Sequence, residues 1–261
     1  MKSFNYHSAK DSKEATKLSS SASAFLAGGM TTIPSMKLGL ATYKDIIDIK
    51  NIKKLSGISV SGKSVKVGAI TKHAEVANSK EIKKAIPSLA SLAEGIGDPQ
   101  VRNRGTIGGS IANNDPSADY PSACIALNAI IHTNERKIES SKFFKGMFET
   151  VLKKGELIET IEFQIPEKSS YQKHPNPASR YAIVGVYVAK HKTGINVGVT
   201  GAKPCVYNDK DIAKALESSF SSNSLSGVEV NSSDMNSDIH ASSEYRASLV
   251  VTQAKKAVEA C

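Results

Sequence analysis

Apolar positions along the chain fall into short runs with two different periods. A first helix is predicted just after Asp11 and Ser12, residue types that accept a hydrogen bond from a helix's first turn, with Ala15 and Leu18 on its inner face. Ala24-Phe25-Leu26-Ala27 reads as a strand running into Gly28-Gly29, and Ile46-Ile47-Asp48-Ile49 as another strand. Alternation through Ile58, Val60, Val65 and Val67 around Gly62-Lys63 predicts a hairpin with a type II′ turn. Thr71 is expected to cap a short helix. Helical spacing from Glu81 to Glu94 is interrupted at Pro87, where a break or a fresh start is expected. Strand patterns return at Ile130-Ile131 and from Leu157 to Ile165. Lys173-His174-Pro175-Asn176-Pro177 is read as a break in the pattern. Beyond it, Tyr181 to Ala189 and Gly194 to Gly201 form a second predicted hairpin. The serine-rich stretch 218–243 reads as surface loop, and Tyr245 to Val258 as a closing helix. The sum is an α+β protein in two parts, divided near residue 170.

Between those elements, residues 97–121 form a polar stretch rich in Gly, Asn, Asp and Pro with little periodicity. An unstructured stretch of that length inside a compact domain is usually functional, and this one is expected to be.

Composition narrows the class. With 40 % hydrophobic and 23 % charged residues over 261 positions, neither wholesale disorder nor a fibrous chain is expected, and a core can form without disulfide or metal staples. No apolar run approaches a membrane span and the first residues lack an apolar core, so the expected location is the cytoplasm. The 34 Lys and Arg outweigh 25 Asp and Glu, a net charge of +9. Arginine accounts for little of it, at positions 102, 104, 136, 180 and 246, and the lysines are scattered without an aromatic-rich basic block. Nucleic acid is therefore not the expected partner; the field suits an anionic cofactor or an acidic partner. Cys124, Cys205 and Cys261 lie far apart and give no metal or dithiol spacing, and Cys124 reads as a core residue. The six histidines show no metalloprotease spacing, and there is no Gly-x-Ser-x-Gly elbow.

Two glycine pairs carry the chemistry. Ala27-Gly28-Gly29-Met30-Thr31 and Thr106-Ile107-Gly108-Gly109-Ser110 each place adjacent glycines before or among hydroxyl residues. Without Cβ atoms, such pairs let backbone N–H groups crowd one oxyanion, and Thr31, Thr106 and Ser110 add hydroxyl donors. Two such loops suit a diphosphate with an attached sugar. Neither is a Rossmann or P-loop motif. Asn113, Asn114, Asp115 and Asp119 offer further ribose or phosphate partners; like charges repel, so Asp119 is assigned to a sugar hydroxyl.

On these residues the chain resembles the flavin-binding medium subunits of molybdenum hydroxylases, a family that includes carbon monoxide dehydrogenase and aldehyde oxidoreductase complexes. The resemblance spans almost the whole sequence. It runs through Phe4-Asn5-Tyr6, Ala27-Gly28-Gly29, Pro34-Ser35-Met36-Lys37-Leu38 and Ile47-Asp48-Ile49, and it is most specific from Ile96 to Gly109. Pro177 to Ala182 and Ser237 to Arg246 resemble the family's C-terminal domain. The resemblance implies a two-lobed FAD-binding domain of the vanillyl-alcohol-oxidase type at 1–170, with lobes of about 1–55 and 56–170. A small α+β domain at 171–261, an antiparallel sheet with helices, would follow. It implies that both loops hold the FAD diphosphate and that Asp119 lies near the cofactor's sugar or phosphates. Lys173 is implied to lie near the flavin and Tyr181 against the isoalloxazine. Three positions depart from the family pattern: Met30 where glutamine is usual, Ala24 where a basic residue is common, and Gly39 where arginine is frequent.

The function so implied is electron transfer. A large partner would carry molybdopterin and a small partner two [2Fe–2S] clusters, in a dimer of heterotrimers. This chain would pass their electrons through FAD to an external acceptor. It would hold no metal and supply no acid–base residue. Two other classes are weighed against it: a stand-alone FAD oxidoreductase of a small alcohol or amine, and a non-catalytic basic binding module.

Overall fold

The computed structural model describes all 261 residues, arranged around three main sheets, a small two-stranded one (Phe144–Gly146 with Glu149–Thr150) and three hydrophobic cores. The first sheet is parallel, with Asp45–Asp48 between Asn5–Ser8 and Ser23–Leu26. Asp11 caps the crossover helix Ser12–Leu18, its carboxylate accepting from the Glu14 amide at 2.8 Å. The second sheet is antiparallel, in the order Ile58–Ser61, Ser64–Gly68, Ile158–Gln164, Ile130–Thr133 and Lys137–Glu139. Gly62, at φ +58° with Lys63 on the negative side, supplies the turn that joins its first two strands.

The third sheet runs Lys168–Pro175, Ala182–His191, Gly194–Thr200 and Tyr207–Asn208, all antiparallel. Its long strand Ala182–His191 is buried on both faces, and the period of two shows where each face points. Tyr187 and Ala189 join the large core of the second sheet, whereas Val184, Val186 and Val188 join the core under the C-terminal helix Ser243–Glu259. The sheet is thus a shared wall between two hydrophobic interiors. Helix Tyr120–Ala126 packs on its other side so closely that a Cβ on Gly198 would lie 2.1 Å from the Ser122 carbonyl oxygen.

Three expectations are corrected. The stretch 97–121 is not unstructured: it contains helices Pro99–Arg102 and Ile107–Asn113 and the start of Tyr120–Ala126. Its polar residues are terminators of short helices. Asp98 accepts from the Val101 amide at 2.8 Å, Thr106 from the Gly109 amide at 3.2 Å, and Asn114 closes a helix at φ +44°. Thr71 is not a cap; helix His73–Asn78 begins after Lys72, and the Thr71 hydroxyl accepts from the Gly57 amide at 3.0 Å. Nor does the chain break at Lys173. The strand continues to Pro175, where the pairing shifts by one residue and a missing N–H is tolerated, and the turn follows at 176–181. At Pro87 the helix restarts as expected, with Lys80–Ala85 ending before Pro87–Glu94.

Gly198→Ala tests the shared wall. The added methyl has backbone beneath it and nowhere to turn, so we expect a loss of about 2–3 kcal/mol in chemical denaturation with the fold retained.

Candidate functional site: a cleft between two glycine loops

One cleft of about 500 Å³ takes in both glycine pairs. The first loop leaves the strand Ser23–Leu26, with Gly29 at φ +74°, where side-chain-bearing residues are strained. From Gly28 through Thr32, five consecutive main-chain amides donate to no acceptor within the protein. A run of free amides on a cleft wall is a ready site for anionic oxygens. Ala27, Met30 and Thr31 line the same wall, with Met30 40 % exposed at its rim.

The second pair works differently from expectation. Gly108 and Gly109 stand in the first turn of helix Ile107–Asn113, and their amides are already engaged, by the Ala69 carbonyl at 2.8 Å and the Thr106 hydroxyl at 3.2 Å. The Ser110 amide donates to Thr106 and the Ile107 amide to Thr71. What these glycines provide is proximity. A Cβ on Gly108 would meet the Ala69 carbonyl oxygen at 2.7 Å, and one on Gly109 would face the Ala27 methyl at 3.8 Å across the cleft. Thr106, Gly108, Gly109 and Ser110 line the cleft; Ile107 is fully buried and anchors the turn.

The first loop rests on the segment just before the second. A Cβ on Gly28 would lie 2.2 Å from the Arg104 carbonyl oxygen and 2.8 Å from the Gly105 Cα, so backbone rests directly on backbone. Behind Gly105 stands His73, whose Nε2 would be 2.5 Å from a Cβ there. His73 is buried, lines the cleft and has no partner at Nδ1; its ring packs on Tyr120, the residue after Asp119, at 5.3 Å. Burial, with the Arg102 charge nearby, pushes its pKa down to about 4, so the ring is neutral.

Asp119 lies on the cleft wall and is buried, which raises its carboxyl above the ordinary range, while Lys173 and Tyr171 oppose that shift. The Tyr171 hydroxyl donates to Oδ1 at 2.5 Å and the Lys173 ammonium lies 3.0 Å from the same oxygen. Both side-chain partners thus take Oδ1 and leave Oδ2 without a partner from another residue. Lys173 itself stands behind Asp119, not on the wall. Its ammonium also donates to the carbonyls of Gly95 at 2.9 Å and Arg180 at 3.0 Å, so all three N–H bonds are committed. Tyr181 does line the cleft, nearly half exposed, where the turn 176–181 meets the strand Ala182–His191.

Of the polar companions expected in the second loop, Asn113 and Asp115 line the cleft, whereas Asn114 is spent on the Gly146 and Glu149 carbonyls at 2.8 Å each. Sequence reading missed Arg180, held at φ +62° with Nη1 donating to Gly97 at 3.1 Å, and the walls formed by Phe25, Tyr43 and His73. None of these has a local motif; only the turn after a proline-rich segment hinted at Arg180.

With that geometry in view, comparison with known proteins is direct. Residues 2–167 match the family described as the FAD binding domain in molybdopterin dehydrogenase. The chain belongs to this family and is a flavoprotein component of oxidoreductases. It is 37 % identical over 170 residues to the glyceraldehyde dehydrogenase medium chain of Sulfolobus acidocaldarius, covering 63 % of this chain and 60 % of that one. It is 34 % identical over 218 residues to the carbon monoxide dehydrogenase medium chain of Hydrogenophaga pseudoflava, covering 77 % and 75 %. Reconstituted CO dehydrogenase from Oligotropha carboxidovorans contains a chain that superimposes with a TM-score of 0.91 at 27 % identity, covering 99 % and 97 %. No helix of the chain is long and apolar enough to cross a membrane.

The residues present fit FAD. A run of five unengaged amides, close-approach glycines facing them, a free carboxylate oxygen and an aromatic face line one continuous cleft. Those are the donors, the room and the acceptor that a diphosphate, a ribityl or ribose hydroxyl and a flat ring require.

Two measurements check this site. Gly28→Ala is expected to part the loops and lower the FAD content of purified protein at least about tenfold, since relief of the clash means moving backbone; full occupancy would rule the contact out as a determinant. The second concerns pH. The unfolded chain protonates His73 below about 6.5 and the folded one only near 4, so folding stability falls as pH drops through that window. We expect a loss of up to about 3 kcal/mol between pH 7 and 4, read from urea midpoints, and a markedly flatter profile in His73→Gln.

Proposed function

We propose that this chain is the electron-transfer subunit of a heterotrimeric molybdenum hydroxylase of the carbon monoxide or aldehyde dehydrogenase type. It takes electrons from the [2Fe–2S] clusters of a small subunit, while a large subunit carries molybdopterin and oxidises the substrate. An external acceptor then takes the electrons, and the complex is a dimer of heterotrimers. Support comes from family membership and from two relatives, a CO dehydrogenase medium chain and a glyceraldehyde dehydrogenase medium chain. The single observation that carries the reading is the convergence of Gly28–Thr32, Gly109 and Asp119 on one cleft.

When bound, FAD supplies a centre that accepts electrons singly and delivers them in pairs. The chain's own residues bind and orient. The amides of Gly28–Thr32 receive the phosphate oxygens, and the hydroxyls of Thr31, Thr106 and Ser110 add donors at the same end. Asp119 presents Oδ2 to a sugar hydroxyl, its orientation fixed by Tyr171 and Lys173. Tyr181 offers its face to the isoalloxazine. Lys173 acts through Asp119 as a positioning residue whose charge still reaches the ring through a low-dielectric wall.

Purification through this chain from the cells that produce it tests the assembly. FAD, molybdenum and iron in one particle that separates into three polypeptides supports it. Turnover of an alcohol or amine by the isolated flavoprotein overturns it in favour of a stand-alone oxidase or dehydrogenase. Lys173→Met removes one positive charge near the ring and is expected to make the flavin's midpoint potential more negative in a spectroelectrochemical titration. An unchanged potential would place the lysine too far away to matter.

A further inference from the structure

The turn Gly95-Ile96-Gly97 gathers three cations on its carbonyls. Gly95 accepts from the Lys173 ammonium at 2.9 Å and Ile96 from Arg102 Nη1 at 3.0 Å. Gly97 accepts from two guanidinium groups at once, Arg102 Nη1 at 3.3 Å and Arg180 Nη1 at 3.1 Å. Lys173 is matched by Asp119. Arg102 and Arg180 form no ion pair, whereas Arg136 and Arg246 each hold a carboxylate, at 2.8 and 2.6 Å. Arginine stays ionised at any working pH, so two like charges share one oxygen with no counter-ion beside them. Each also keeps Nε and Nη2 without a protein partner. The Arg102 charge is felt inward, where after burial it is the second cause that keeps His73 neutral.

The pair stands at one end of the cleft, where Gly97, Ser179, Arg180 and Tyr181 form its wall. Arg180 is built into that position. Its backbone, at φ +62°, is in a region that residues with side chains disfavour. Asn176 holds it there, its side-chain oxygen accepting from the amides of Ala178 and Ser179 at 2.9 and 3.0 Å and its carbonyl from that of Arg180 at 2.8 Å. Lys173 takes the Arg180 carbonyl at 3.0 Å. Resting on the flavoprotein reading above, we propose that Arg102 and Arg180 form an anion site beside Tyr181 that receives the charged group of a small, anionic electron acceptor. A planar guanidinium presents two parallel N–H bonds, the match for a carboxylate, phosphate or sulfonate. The concave setting suits a small molecule, not the face of an acidic protein. An acceptor anchored there lies against the end of the cleft assigned to the ring, where the electrons leave.

The test uses the complex purified through this chain. Hexacyanoferrate(II), an anion that cannot accept electrons, is titrated calorimetrically into the oxidised complex at about 100 mM NaCl. Arg102→Gln and Arg180→Gln are each expected to raise its dissociation constant about tenfold, and Arg180→Lys, which keeps the charge, by no more than about threefold. Lys63→Gln removes one charge in the Gly62 turn, outside the cleft, and should change nothing. The second readout is reoxidation of the dithionite-reduced flavin. Each hexacyanoferrate(III) ion takes one electron and leaves as hexacyanoferrate(II), so two ions reoxidise one fully reduced flavin, whose protons pass to solvent. The Gln variants should slow this reaction about tenfold and leave reoxidation by the cation hexaammineruthenium(III) as fast or faster. Equal slowing with both oxidants, or anion binding unmoved by either Gln variant, overturns the site and leaves the flavoprotein reading standing. Variants that shed another subunit of the complex yet bind hexacyanoferrate(II) normally also overturn it, in favour of an acidic protein surface as the occupant. A purified complex without flavin overturns both.

Discussion

Everything in this cleft depends on one contact with no side chain in it. Gly28 rests on the carbonyl of Arg104 and the Cα of Gly105, and no residue with a Cβ can take its place without moving a loop. That contact ties the parallel sheet to the helices inserted between the strands Ser64–Gly68 and Ile130–Thr133 of the second sheet, elements drawn from distant parts of the chain. Its consequences pass inward by packing. Gly105 is held against His73, His73 against Tyr120, and Tyr120 is the neighbour of Asp119. The glycine-loop end and the carboxylate of the cleft are therefore fixed relative to each other by a short stack of rigid groups, a close-packed arrangement that admits few intermediate positions.

The two ends of the cleft solve opposite electrostatic problems. At the loop end the protein presents fixed dipoles, the amides of Gly28–Thr32 that no protein acceptor engages. At the Asp119 end the protein holds a buried carboxylate, which would be costly unpaired. Tyr171 and Lys173 reach the same oxygen from one strand, two residues apart and on the same face of the pleat. By spending its remaining N–H bonds on Gly95 and Arg180, Lys173 also ties the third sheet to the turns that bound the cleft. One ammonium group thus neutralises a charge and joins three segments, which explains why it stands behind the wall and not on it.

How much of this was legible in the sequence follows from how local each cause is. The Asp11 cap, the Gly62 hairpin and the restart at Pro87 are decided within a few residues, and they were readable. The glycine pairs were readable as features but not as roles. Whether an amide is free depends on what lies across from it: Ala69 takes the amide of Gly108, and nothing takes those of Gly28 to Thr32. The stretch 97–121 misled because Asp98, Thr106 and Asn114 are both loop formers and helix terminators, and only the burial of Ile107 and Ile111 separates the two meanings. His73 and Arg180 carry no pattern of their own; tertiary packing alone brings them to the cleft.

Two identical dipeptides in one chain therefore answer two different physical demands. Gly28-Gly29 is glycine because one member must lie flat on a neighbouring backbone and the other must reach φ +74°. Gly108-Gly109 is glycine because a helix must start within a carbonyl's reach of Ala69 and leave the space opposite Ala27 open. The first demand concerns conformation and free donors, and the second concerns volume. A substitution series that adds one methyl at a time would weigh differently on the two, since strain in a turn is stored locally while a blocked approach displaces a whole element. The separation also accounts for the tolerance of an apolar Met30 in the first loop. Where the main chain supplies the donors, the side chain beside them need only stay out of the way.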